Sequence, residues 1–370
     1  MKKPSKMILT AGPSISKKEE KYVLDALRTG WNFHFRDYLT RFETKFADYV
    51  GTKYAWGTSS GTGALHVAML ACGIGKGDEV IIPELTFVAS ANVVCYVGAK
   101  PVFVDIEKDS WCIDPVSFRK AITKKTKAVM PVHIYGHPAN MGEINKIAKE
   151  HGLYVIEDAC PSVGAEYKGK KTGSLSDIAA FSFQGAKIMV TGEGGMITTN
   201  NLKLFEKAKY FGDHAKNSKK TFWHDEVGYM YRMSNLLGAL GLAQLERVEE
   251  FIAKKRKIFQ WYKERLNDID GIALNSEKEW ARNIYWMSCL VLEKDFGISR
   301  DELISKLKKE MIDTRKFFYP LSMFDFFHAK ANNPVAYKVQ LNGINLPSGV
   351  NLTEKEVDYV ASTIRKILKV

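Results

Sequence analysis

Short apolar runs alternate with helical stretches through residues 54–200, and this alternation is the feature that most constrains the fold. The helical stretches occupy residues 86–96, 115–122 and 141–150. Alternation of this kind is typical of βαβ units and of a largely parallel sheet, whose ligands lie beyond the carboxyl ends of the strands. We therefore predict an α/β fold, with strands at residues 54–58, 79–82, 101–105, 128–133, 154–157, 178–183 and 196–199.

The length and apolar content of the chain indicate two domains. At 370 residues and 45% hydrophobic residues, the chain can bury a large core. A helical pattern over residues 236–266 is expected to link a large domain, residues 1–245, to residues 246–370, which end in a small α+β domain. There the pattern predicts strands at residues 284–292 and 315–319 and helices at residues 300–311 and 353–368.

The charge and the cysteines argue against several classes of protein. Lys and Arg number 54 and Asp and Glu 42, a net charge of +12, but the excess is scattered in short clusters, so we expect no nucleic-acid partner. The five cysteines include no CxxC pair, which argues against a zinc site or a disulfide framework. Without a run of roughly 20 apolar residues or a signal peptide, we expect a cytoplasmic protein with no membrane partner.

Lys187 follows the apolar run at residues 178–183, and a glycine-rich turn at residues 192–195 comes after it. This order places the lysine in a loop at an edge of the sheet. A lysine held there can form a Schiff base with a carbonyl cofactor if its ammonium group loses a proton. A solvated loop lysine is the commoner interpretation of the same pattern, and this segment alone leaves both open.

Two further segments carry groups that suit a ligand. Residues 59–63, Ser-Ser-Gly-Thr-Gly, lie between a predicted strand and a helix, where free backbone N–H groups suit a phosphate, although an ordinary helix cap is the commoner explanation. Asp158 follows the run at residues 154–157, where a carboxylate can orient a ring nitrogen. No companion ligands at metal spacing are present, and a turn cap before Pro161 is the alternative.

Together these segments resemble the sugar aminotransferases of the DegT/DnrJ/EryC1/StrS family, which use pyridoxal 5′-phosphate (PLP). The resemblance implies the aspartate aminotransferase fold, PLP fold type I, with a mostly parallel sheet in the large domain. The residues that carry it are 58–66, 77–92, 98–106, 127–141, 154–159, 181–200 and 231–246. Within the family, residues 223–235, 313–320 and 343–348 most resemble the GDP-perosamine synthases, which aminate C4 of GDP-4-keto-6-deoxymannose with L-glutamate as the donor.

The resemblance implies catalytic roles for two side chains. Lys187 would bind PLP covalently and move a proton between cofactor and substrate. Asp158 would pair with the pyridine nitrogen and keep it protonated, which makes the ring an electron sink. Relatives that dehydrate the sugar carry histidine in place of this lysine, so Lys187 favours transamination, with pyridoxamine phosphate as the intermediate carrier.

The same resemblance assigns the remaining cofactor and substrate contacts. Gly61 and Thr62 would offer backbone amides and Ser182 its hydroxyl to the cofactor phosphate, while Phe87 would stack on the ring. The candidates for contact with the nucleotide or sugar, which an ordinary strand role explains equally, are Arg315 and Tyr319. The residues assigned to packing or loops are His133, Tyr135 and His137.

Three residues depart from the usual pattern of the family. Met230 stands where an asparagine usually reaches the phosphate of the neighbouring subunit's site, in what would be a homodimer. Pro161 replaces a glutamine, glutamate or histidine that is usual beside the ring, and Gln184 stands where an aromatic residue or a histidine is common. A UDP- or dTDP-linked keto sugar, a PLP-dependent dehydratase and a binding protein without turnover are the alternatives to a GDP-linked sugar aminotransferase.

Overall fold

The computed structural model describes residues 3–329 and 331–370. No helix within these residues is long and apolar enough to cross a membrane. The α-helices are Lys17–Thr29 (α1), Asp37–Val50 (α2), Gly61–Ala71 (α3), Ala89–Tyr96 (α4), Pro115–Ala121 (α5), Met141–His151 (α6), Leu202–Gly212 (α7), Asn235–Leu245 (α8), Val248–Leu266 (α9), Arg300–Lys309 (α10), Pro334–Asn342 (α11) and Glu354–Leu368 (α12). The strands are Tyr54–Thr58 (β1), Glu79–Pro83 (β2), Lys100–Val104 (β3), Thr126–Val129 (β4), Tyr154–Asp158 (β5), Glu166–Tyr167 (β6), Lys170–Lys171 (β7), Ile178–Ser182 (β8), Gly195–Thr199 (β9), Ile272–Leu274 (β10), Ala281–Arg282 (β11), Cys289–Leu292 (β12), Arg315–Lys316 (β13) and Gly343–Asn345 (β14).

A seven-stranded sheet in the order β1-β9-β8-β5-β4-β2-β3 forms the centre of the molecule. The pairs β2/β3, β2/β4, β4/β5 and β5/β8 are parallel, and only β8/β9 and β9/β1 are antiparallel. Strands β2 and β8 are buried at every position, as expected when helices cover both faces of a sheet. The predicted α/β fold with a mostly parallel sheet is thus confirmed.

Side chains of β8 divide between two hydrophobic cores, one on each face of the sheet. Phe181 packs with Phe46 and with helix α2 on one face, while Ile178 and Ala180 pack with helices α3 and α7 on the other. This alternation is the two-residue period of a β-strand. With both faces covered, the open carboxyl ends of β5 and β8 are left for a ligand.

The C-terminal part contains a separate four-stranded antiparallel sheet in the order β10-β12-β14-β13. Helices α9, α10 and α12 cover it and share a third hydrophobic core. The chain start also packs here: the amide of Ile8 donates to the Met311 carbonyl at 2.9 Å, and the Thr10 hydroxyl donates to Asp313 at 2.6 Å. The predicted boundary at residue 245 stays a prediction.

Several sequence-based element bounds were wrong. The pattern at residues 236–266 forms two helices, because α8 is buried against α1 and α2 whereas α9 packs on α12. The strand predicted for residues 128–133 ends at Val129, before Pro131, which has no N–H for a ladder. The strand predicted for residues 284–292 begins only at Cys289, since Tyr285 has a left-handed φ of 48°.

Candidate active site

A cavity of about 440 Å³ lies where the carboxyl ends of β5 and β8 meet the start of α3. Residues from the C-terminal part, including Trp286, close its other side. Its lining includes seven of the residues predicted to bind cofactor or substrate: Gly61, Thr62, Phe87, Asp158, Ser182, Lys187 and Arg315. The structure therefore brings together groups that lie far apart in the chain.

Lys187 projects from the loop after β8 into this cavity. Its amide donates to the Gln184 carbonyl at 2.8 Å, and its Nζ lies 4.3 Å from the ring centre of Trp286. Burial lowers the pKa of Lys187, against the opposing effects of Cys160 and Asp158. The lysine is thus not a solvated loop residue, and its amine loses a proton more easily than that of an ordinary lysine.

The thiol of Cys160 also lines the cavity, and it is a second candidate nucleophile. Burial raises the pKa of this thiol well above its usual range, and Asp158 acts in the same direction. Only a thiolate is a strong nucleophile. Lys187 is therefore the better placed nucleophile of the two.

Asp158 ends β5 and is only 5% exposed. The Ser90 hydroxyl donates to its Oδ2 at 2.8 Å, and the Cys160 amide donates to its Oδ1 at 3.2 Å. The carboxylate therefore caps the following turn and lines the cavity at the same time, so the two sequence interpretations are compatible. Among the described residues, no group of three or more His, Cys, Asp or Glu side chains is placed to hold a metal ion.

The start of α3 and the end of β8 form a cradle that fits a phosphate. The Ser60 hydroxyl accepts the amide of Gly63 at 3.0 Å, which leaves the amides of Gly61 and Thr62 in the first helical turn, where a helix provides no acceptor. A Cβ on Gly61 would lie 2.7 Å from the Cβ of Ser182. Only glycine allows this close approach, which brings the Ser182 hydroxyl to the same point.

Three aromatic side chains, Phe87, Phe318 and Trp286, form a wall of the cavity, and Tyr135 packs behind them. Phe87 lies 5.7 Å from Phe318, which stacks at 5.8 Å on Tyr135, and Tyr135 stacks at 6.4 Å on Trp286. Sequence reasoning missed Trp286 and Phe318, whereas Tyr135, assigned to packing or a loop, is 1% exposed and lies outside the cavity lining. Trp286 was missed because it lay in the first part of a predicted strand, residues 284–288, which the structure does not form as strand.

The remaining predicted residues occupy different positions. Arg315 opens β13 and reaches the cavity lining, whereas Tyr319 is 45% exposed and is not part of that lining. His133 is a buried structural residue. Its Nε2 donates a hydrogen bond to Glu157 at 2.8 Å, and its Nδ1 accepts one from the Ala139 amide. The role of Tyr319 stays a prediction.

The three departures from the family pattern also separate in space. Pro161 and Gln184 line the cavity, close to Lys187. Met230 is 57% exposed and is not among the lining residues. A substitution at Met230 therefore changes the outside of this subunit, whereas those at Pro161 and Gln184 change the cavity itself.

Comparisons with known proteins agree with this geometry. The DegT/DnrJ/EryC1/StrS aminotransferase family model matches residues 13–365. The chain is 40% identical to the GDP-perosamine synthase of Escherichia coli O157:H7, over 96% of each chain, and 40% identical to that of Caulobacter vibrioides, over 98% of each. A sugar aminotransferase of Streptococcus pneumoniae, solved in its PMP form, superposes with a TM-score of 0.91 at 26% identity, over 98% of each chain.

The chain belongs to the DegT/DnrJ/EryC1/StrS aminotransferase family. The predicted family, type I fold, aminotransferase activity and PLP cofactor are thereby confirmed. The cavity fits the cofactor, since an amine, a carboxylate, a phosphate cradle and an aromatic wall surround a single space. Lys187, Asp158, Gly61, Thr62 and Ser182 are the residues that would hold it.

Gly61→Ala tests the phosphate cradle. The added methyl group forces the start of α3 away from Ser182, so we expect PLP to bind at least about tenfold more weakly, or about 1.4 kcal/mol. Equilibrium dialysis measures the dissociation constant. Gly12→Ala is the matched control, because a Cβ there meets nothing within 4 Å. Equal affinity in both variants would contradict the cradle.

The lowered pKa of Lys187 is testable in the full chain freed of PLP. Competitive acetylation followed by peptide mass spectrometry gives the reactivity of each lysine against pH. We expect the midpoint for Lys187 to lie below the ordinary lysine value of 10.5, because burial disfavours the ammonium form. The exposed Lys45 is the internal reference. A midpoint for Lys187 at or above 10.5 would contradict this burial effect.

Proposed function

We propose that this aminotransferase transfers an amino group from L-glutamate to C4 of GDP-4-keto-6-deoxymannose and produces GDP-perosamine. The observation that carries the proposal is the resemblance to three GDP-perosamine synthases at 39–40% identity over nearly the full chain. The half-buried amine of Lys187, facing the cavity, supplies the group that such a transfer requires.

Different residues of the cavity have different roles in the proposed reaction. Bound PLP supplies the electron sink that stabilises charge on the reacting carbon. Lys187 would hold the cofactor and would take and return a proton at that carbon, because burial lowers the pKa of its amine. Asp158, fixed by Ser90, would hold the pyridine nitrogen in its protonated form. Trp286 excludes water from the amine.

The polar groups at the cavity mouth are our candidates for binding the donor and the sugar nucleotide. Arg315 presents a guanidinium group to the cavity, and such a group suits the carboxylates of glutamate or a diphosphate. Gln184 and Glu193 also line the cavity and can bond sugar hydroxyl groups. These contacts would serve a UDP- or dTDP-linked keto sugar as well, which keeps that class as the alternative substrate.

The lyase and binding-protein alternatives have less support. A dehydratase would release a deoxygenated sugar without amine transfer, and the presence of Lys187 argues against it. A protein that binds PLP without turnover would need a disabled site, yet Lys187, Asp158 and the phosphate cradle all face one cavity.

We further propose a cytoplasmic homodimer that supplies O-antigen or related polysaccharide synthesis. The five cysteines are unpaired in the structure, in keeping with a reducing compartment. Several large apolar side chains are exposed, which is typical of a surface that another subunit covers: Trp31, Phe33, Phe35, Phe222, Trp223, Val227 and Met230.

Analytical ultracentrifugation tests the proposed dimer. We expect a particle of about twice the chain mass of 41.8 kDa, because the exposed apolar side chains would be buried between the two copies. Phe33→Ser, at a side chain that is 98% exposed, should weaken the association if that loop is part of the interface. A particle of the mass of one chain at micromolar concentration would argue against the dimer.

Lys187→Ala and a panel of substrates test the reaction. The wild-type protein with PLP should show a visible absorbance band that glutamate removes and that GDP-4-keto-6-deoxymannose restores, with GDP-perosamine detected by mass spectrometry. Lys187→Ala should lose the band and lower kcat by about 10⁴-fold or more. Lys45→Ala, on the exposed face of α2, is the control and should match the wild type.

The sugar panel distinguishes the alternatives. Restoration of the band by a UDP- or dTDP-linked keto sugar, but not by the GDP-linked one, would replace the proposed substrate. A deoxygenated product without an amino group would indicate the dehydratase. A band that does not respond to any amino donor would support the binding protein.

A further inference from the structure

Lys255, on helix α9, is a buried lysine outside the cavity. It is 3% exposed, and its Nζ donates to the Trp286 carbonyl at 2.7 Å and to the Ser348 carbonyl at 2.5 Å. Among the described residues, no carboxylate forms an ion pair with it. A lysine is rarely buried without a charged partner, because removing its ammonium group from water is costly. The burial of Lys255 must therefore be explained by its hydrogen bonds to these two carbonyl groups.

These carbonyl groups belong to two irregular segments that contact each other beside α9. Residues 283–288 precede β12, and residues 346–348 follow β14. Two hydrogen bonds join the segments directly. The Leu346 amide donates to the Ser288 carbonyl at 2.8 Å, and the Ser288 amide donates to the Ser348 hydroxyl at 2.8 Å. Lys255 supplies donors to one further carbonyl on each segment, so that neither is left unsatisfied in the core.

Trp286 connects this arrangement to the cavity. Its backbone carbonyl accepts from Lys255, while its indole Nε1 donates to the Ala186 carbonyl at 2.8 Å. The indole ring then lies 4.3 Å from the Nζ of Lys187. Trp286 therefore contacts Lys255 of α9 through its carbonyl group and Lys187 through its indole ring.

We propose that Lys255 is a positioning residue that fixes Trp286 against Lys187 and thereby keeps water from the reactive amine. An aliphatic side chain could fill the same space but would leave both carbonyls without donors. Residues 283–288 would then shift to find other partners, and the indole would move with them. The catalytic meaning of this inference rests on the role proposed for Lys187, although the contacts themselves do not.

The two hydrogen bonds do not depend on the charge of Lys255. Burial lowers the pKa of Lys255 to about 7. The neutral amine still carries two N–H bonds, one for each carbonyl. Lys255 can therefore hold Trp286 on both sides of that pKa.

Lys255→Met tests the proposal through the acetylation profile of Lys187 in the full chain freed of PLP. We expect the midpoint for Lys187 to rise toward the ordinary lysine value by about half a pH unit or more, because water reaches the amine once the indole is released. Lys263→Met, at an exposed lysine on the same helix, is the matched control and should leave the midpoint unchanged. An unchanged midpoint in folded Lys255→Met would overturn the proposal.

A double-mutant cycle shows whether the effect passes through Trp286. Trp286→Leu should raise the midpoint for Lys187 by itself, and adding Lys255→Met should then change it little. Full addition of the two shifts would refute transmission through Trp286. Should circular dichroism show that Lys255→Met is unfolded, Lys255→Gln, which is too short to reach both carbonyls, takes its place with the same expected shift.

The readout separates this inference from the proposed function. The acetylation profile reports on the Lys187 amine without cofactor or sugar, so its result does not depend on which nucleotide sugar is the substrate. Failure of transamination with a normal shift in Lys255→Met would remove the proposed function and leave the positioning role. Normal transamination with no shift in Lys255→Met would support the proposed function and refute the positioning role of Lys255.

Discussion

A lysine amine must lose both water and a proton before it can attack a carbonyl group, and the surroundings of Lys187 favour both losses. The Trp286 ring covers its Nζ, and burial lowers its pKa. The carboxylate of Asp158 at the end of β5 opposes that shift and lines the same cavity. The site therefore balances a partly buried amine against a nearby carboxylate, and the other contacts in the cavity maintain that balance.

The parallel sheet makes this balance possible because it brings the ends of β5 and β8 to one edge. Helix α3 begins at the same edge, so its first amides face the space that the two strands border. Both faces of the sheet are covered by apolar helices, which leaves this edge as the accessible place for polar chemistry. The core thus gives rigidity, and the loops after the strands provide the reactive groups.

The C-terminal part contributes more than a cover for the cavity. Trp286, Phe318 and Arg315 all come from it, and Lys255 fixes the segment that carries Trp286. The reactive groups of the large sheet are therefore surrounded by side chains from a part of the chain that follows the last strand of that sheet. The residues proposed to hold the cofactor lie on the large sheet and the start of α3, whereas Arg315, our candidate for substrate contact, comes from the C-terminal part.

The sequence by itself determined the elements whose signals are local. The buried run before Lys187, the Ser-Gly-Thr turn at residues 59–63 and the acidic residue after the run at residues 154–157 were all readable, because strand burial and helix capping act over a few neighbouring residues. Only the tertiary structure decided the break between α8 and α9, the left-handed Tyr285 that delays the start of a predicted strand, and the position of the Trp286 ring over the Nζ of Lys187. These depend on contacts between residues far apart in the chain, and such contacts override local preference.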